Sequence, residues 1–87
     1  MSQLIDDLNI TLSKDEALVL FEFFARFDNS THFVLRNNAE YIAFSKISGQ
    51  LDKTLSEPFN PNYPAIYQAA QARLAEGYEG LAPGVNP

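Results

Sequence analysis

The chain has 87 residues, 46% hydrophobic and 20% charged, with eleven acidic side chains against six basic ones for a formal net charge of −5. It is too short for two independent cores and too apolar for a disordered chain, so one small folded domain is expected. The acidic balance opposes docking on nucleic-acid phosphates or anionic lipid, and the lack of cysteine excludes disulfides, thiolate nucleophiles and thiolate-bound zinc.

Residues 1–7 include Asp6 and Asp7 where a secretory signal would be basic and then apolar, and no apolar run approaches the length of a membrane span. A cytoplasmic protein is expected. The sequons Asn9-Ile10-Thr11 and Asn29-Ser30-Thr31 are then chance matches. Leu8, Ile10 and Leu12 alternate with Asn9 and Thr11, the period-two pattern of a short half-buried strand over about 8–12.

Ser13 followed three residues later by Glu16 forms a capping box and predicts a first helix over about 14–27, a stretch without Gly or Pro. Ala17, Leu20, Phe21, Phe24 and Phe27 recur on one face, while Asp15, Glu22 and Arg26 mark the other. Leu18 and Val19 fall near the polar face and Phe23 on its flank, so the helix is either central to the fold or pairs with a second copy.

The turn formers Asp28-Asn29-Ser30-Thr31 end that helix, and residues 32–36 suit a second short strand. Asn37 and Glu40 repeat the capping pattern ahead of Phe44, Ile47, Leu51 and Leu55, which predicts a second helix to about residue 55. Gly49 inside it implies a close backbone neighbour or a mild bend.

Pro58, Pro61 and Pro64 at three-residue intervals make a stiff connector, and their register also suits a polyproline ligand. Asn60 or Asn62 can cap a third helix with Pro61 or Pro64 in its first turn, and Tyr63, Ile66, Tyr67, Ala70 and Leu74 form its apolar stripe. Gly77 suits a left-handed cap. The expected organisation is a mainly α, compact three-helix packing over 1–77, with two short strands at about 8–12 and 32–36, and a mobile Gly/Pro-rich tail over 78–87.

Little in the sequence carries chemistry. His32 is the single histidine and lies near Ser30 and Asp28, but groups within one turn more commonly satisfy local backbone. Metal binding lacks converging ligands, and Gly77, Gly80 and Gly84 follow the last helix rather than opening one, so no phosphate cradle forms. No catalytic residue, metal or cofactor is expected.

The segments Ser13-Lys14-Asp15-Glu16-Ala17-Leu18-Val19-Leu20-Phe21-Glu22-Phe23 and Gln50-Leu51-Asp52-Lys53-Thr54-Leu55-Ser56-Glu57-Pro58-Phe59 resemble small bacterial proteins of unknown function. The resemblance implies no activity and transfers no site residues.

Charge and aromatic content point instead to a non-catalytic module that binds another protein, an immunity or antitoxin kind of inhibitor whose carboxylates occupy the basic groove of a partner enzyme. Asp15, Glu22, Leu18, Val19, Phe23, Tyr63 and Tyr67 are the candidate partner-binding residues. One alternative is a homodimeric structural or regulatory module joined through Leu18, Val19 and Phe23 of the first helix. Another is a small enzyme or ligand carrier built around His32.

Overall fold

The computed structural model describes residues 7–28 and 34–85, with the backbone alone described at Asp28. Three helices form the fold: α1 (Lys14–Asp28), α2 (Asn38–Thr54) and α3 (Tyr63–Ala75), with a 3₁₀ turn (Glu57–Phe59) between the last two.

The first two helices start where local side chains satisfy early backbone N–H groups. At α1 the capping box is complete: the Glu16 N–H donates to Ser13 Oγ at 3.0 Å and the Ser13 N–H donates to Glu16 Oε1 at 2.8 Å. At α2 the Glu40 N–H donates to Asn37 Oδ1 at 3.1 Å, but the Glu40 carboxylate accepts from the Arg36 N–H at 2.7 Å, one residue upstream of the usual position. Asn62 precedes α3 without a side-chain cap bond, and Pro64 occupies the first turn, where its missing N–H leaves no bond unmade.

α1 packs against both other helices. Phe44, early in α2, lies 4.4 Å from the Phe24 ring and 4.2 Å from the Phe27 ring near the end of α1, whereas Leu51, late in α2, joins Leu18 near the start. These two helices are therefore antiparallel. α3 is also antiparallel to α1, because Tyr63 at its start meets Glu22 and Arg73 at its end meets Asp15. Two neighbours within the chain cover the Ala17, Leu18, Leu20, Phe21 and Phe24 part of the apolar surface of α1.

Leu18, Leu51, Leu55 and Ala70 are the buried centre, with Ala17, Leu20, Phe21, Phe24, Tyr63 and Ile66 packed around them. Leu18 corrects the sequence reading, which put it near a solvated polar face: it is 1% exposed. The reason is geometric. Asp15, Leu18 and Glu22 follow at i, i+3 and i+7 and share one helix face, and that face meets α3, whose Arg73 and Tyr63 supply polar partners for the two acids. A polar stripe that looks solvated in the sequence is here a helix–helix contact.

The strand expectation fails, as does one of the two readings of Gly49. Residues 8–12 and 34–36 form no strand, and Leu8 and Ile10 are largely exposed; residues 32–33 lie outside the described residues. A lone strand leaves its ladder of backbone groups unpaired, so apolar alternation without a partner does not suffice. Nor does Gly49 mark a close approach, since a Cβ placed there would meet nothing within 4 Å.

The proline connector does not form a polyproline helix. Pro58 sits in the 3₁₀ turn, which the Phe59 N–H to Ser56 carbonyl bond of 3.1 Å closes, and the Asn62 N–H folds back onto Asn60 Oδ1 at 2.8 Å. Lys14 clamps the turn to α1 through its Nζ, 2.7 Å from Glu57 Oε2.

After α3 the chain turns sharply. The Tyr78 N–H donates to the Ala75 carbonyl at 3.0 Å, with Glu76 at φ −58°, ψ 131° and Gly77 at φ 85° between them, the geometry of a type II turn. A second turn at Pro83-Gly84, with Gly84 at φ 89°, is closed by the Val85 N–H on the Ala82 carbonyl at 3.0 Å.

Candidate functional site

Of the seven residues singled out from the sequence, the fold brings Glu22, Tyr63 and Tyr67 together on the seam between α1 and α3. The Tyr63 hydroxyl donates to Glu22 Oε2 at 2.6 Å, and the Tyr63 and Tyr67 rings lie 6.1 Å apart. Burial, and then the Glu22 carboxylate that accepts its hydrogen bond, push the Tyr63 hydroxyl well above the usual phenol range. Tyr67 is raised too, first by burial and then by the Glu22 charge, with Arg26 opposing.

Asp15 anchors the other end of this seam. Arg73 donates from Nε and from a terminal nitrogen to its two oxygens, both at 2.9 Å, a bidentate fork. Those hydrogen bonds hold the Asp15 carboxyl below its ordinary range and lift the Arg73 guanidinium above its own. Both acids expected to meet a partner are thus engaged within the chain.

Val19 and Phe23 are each half-buried on α1, and the Arg26 guanidinium sits 5.5 Å from the Phe23 ring centre. Leu18 does not belong with them, because it fills the core.

The larger apolar surface is one the sequence reading did not assemble. Leu74, Tyr78, Leu81 and Val85 are exposed, and with Ala82 they line an open groove of about 380 Å³ where the two turns fold the tail against the end of α3. The Asp15–Arg73 fork sets the start of α1, and with it the root of the Leu8-Ile10-Leu12 segment, at this same end of the molecule. The Gly77, Gly80 and Pro83-Gly84 turn formers were the available signal, since alternating turns bring spaced apolar residues to one side.

This end of the chain is acidic. From residue 74 to 85 the charged side chains are Glu76 and Glu79, and from 7 to 13 the one charge is Asp7. The nearest cation along the chain, Arg73, is neutralised by Asp15. The described residues without a salt bridge on the basic side include Arg36, Lys46 and Lys53, all at or within α2.

Among the described residues no group of three or more His, Asp or Glu side chains converges to hold a metal ion, and no polar side chain is fully buried. His32 lies outside the described residues. No described helix is long and apolar enough to cross a membrane. Compared with known proteins, the chain matches no family model, no curated protein and no solved structure.

Proposed function

We propose that the protein is a non-catalytic module that binds another protein, one with a basic surface. The observation that carries this reading is the apolar side chains left outside: Leu8, Ile10, Phe59, Tyr78 and Leu81 are each at least 60% exposed, in a fold whose buried centre is four of the described residues. Tyr78 and Leu81 share one groove with Leu74 and Val85, and an exposed apolar patch of that kind is what protein contacts use. The net charge of −5 adds attraction for a basic partner and speeds its encounter.

The acids that support this are not those of α1. Asp15 and Glu22 are held by Arg73 and Tyr63, whereas Asp7, Asp52, Glu76 and Glu79 make no salt bridge. The homodimer alternative through Leu18, Val19 and Phe23 loses one of its three residues, because Leu18 is in the core. An inhibitor that fills the basic groove of an enzyme is one form the proposed activity takes.

The test is to capture the full chain from its native cell under mild crosslinking and to measure association with each co-purified protein at low and high salt. The expected result is a stoichiometric complex with a basic protein whose association rate falls as salt rises. A chain that sediments as a lone monomer in native extract overturns the reading.

A further inference from the structure

We infer that the groove lined by Leu74, Tyr78, Leu81, Ala82 and Val85 takes a basic amphipathic helix of the partner protein. This rests on the protein-binding reading and names the surface and chemistry it uses.

Apart from the Gly80 backbone, side chains line the groove. It offers no unpaired strand edge, since no strand occurs among the described residues, so an entering segment must satisfy its own backbone. A helix does so and can lay an apolar stripe at i, i+3, i+4 and i+7 along the groove. The groove volume of about 380 Å³ accepts two or three large side chains and not a folded domain.

Charge selects among possible occupants. Glu76 and Glu79 are chain neighbours of the groove residues Ala75, Tyr78 and Gly80, Asp7 precedes the segment that leads into α1, and Arg73 is neutralised by Asp15. Lysines or arginines flanking the apolar stripe of a visitor meet carboxylates on the rim. A second copy would bring Asp7, Glu76 and Glu79 against their own equivalents, and an anionic lipid surface or a nucleic acid would be repelled.

The groove is also preformed by its backbone. Gly77, Gly80 and Gly84 stand at φ 85°, 73° and 89°, conformations that side chains other than glycine rarely adopt. They fold Leu81 and Val85 back towards Leu74 and Tyr78, so less ordering remains for the bound state to impose.

The probe is a synthetic Leu/Lys amphipathic helical peptide of about four turns, titrated into the isotopically labelled full chain and followed by amide chemical shifts. The expected result is saturable change centred on Leu74, Tyr78, Leu81 and Val85. Leu81→Ser with Val85→Ser weakens binding about tenfold; Glu76→Gln with Glu79→Gln weakens it about threefold and flattens its salt dependence. Ile42→Ser, on the outer side of α2, leaves it unchanged.

Shift changes centred on α2, equal affinity in the groove variants, or tighter binding to anionic phospholipid vesicles than to the peptide would overturn the inference. A native partner whose binding ignores Leu81→Ser with Val85→Ser overturns the groove assignment and leaves the protein-binding reading intact. A chain that stays alone in native extract overturns both.

Discussion

Arg73, in the last turn of α3, grips Asp15, in the first turn of α1, through two parallel hydrogen bonds of 2.9 Å. The pair joins residues 58 positions apart and ties the end of α3 that carries the groove to the start of α1.

Asp15→Asn is expected to lower the melting temperature at neutral pH by a small, salt-sensitive amount. Because Arg73 depresses the folded-state pKa of Asp15 below the unfolded value of about 3.9, the stabilisation is present above that value and is lost as pH falls through the folded one. Thermal melts of the wild type and Asp15→Asn should therefore converge in acid, and also in about 1 M salt, where screening is nearly complete at a few ångströms. A gap that persists at acid pH would contradict the assignment.

Leu18→Ala should cost about 2–5 kcal/mol, the range for a leucine cut back inside a packed core. For so small a domain that is much of the total stability. Ile42→Ala, at a position 65% exposed, should stay within about 0.5 kcal/mol of wild type. Urea unfolding followed by far-ultraviolet circular dichroism separates the two, and similar midpoints would mean that Leu18 is not in the core.

Gly49→Ala should raise stability by about 0.5–1 kcal/mol. Gly49 sits inside α2 with helical backbone and open space where a Cβ would go, so alanine removes an entropic cost and adds no clash. An unchanged or lower urea midpoint would reveal a constraint on that face.

Tyr63→Phe should cost about 1 kcal/mol, the net value of a part-buried hydrogen bond, and Glu22→Gln should bring the remaining phenol down towards the ordinary range. The sign at high pH follows from the raised folded-state pKa: the stabilisation is present below the unfolded value of about 10 and is lost as pH rises through the folded one. Ultraviolet titration of the four tyrosines should find Tyr63 the last to ionise. Loss of that late step in Tyr63→Phe checks the identity of the group.

The local rules of the chain were legible without coordinates. Ser13 with Glu16, and Asn37 with Glu40, mark helix starts because a backbone N–H at a helix end must find an acceptor nearby, and the needed side chains are adjacent in sequence. Leu51, Leu55 and Ala70 were readable as interior from their spacing, and Gly77 as a left-handed position from its place after α3.

What escaped the sequence is what depends on a second element. Leu8, Ile10 and Leu12 have the alternation of a strand, but pairing needs a neighbour, and the fold provides none among the described residues. The candidate binding surface moved for the same reason: Asp15 and Glu22 became internal contacts once α3 brought Arg73 and Tyr63 to them, and the acid and apolar groups of residues 74–85 became the accessible set.

Sequence by itself determined the three helices, the caps of the first two and the negative balance of the chain, because each follows from residues within a few positions of one another or from composition alone. Only the tertiary structure decided that the Asp15–Leu18–Glu22 face is interior, because whether a polar stripe meets water or another helix depends on which side chains distant segments bring to it.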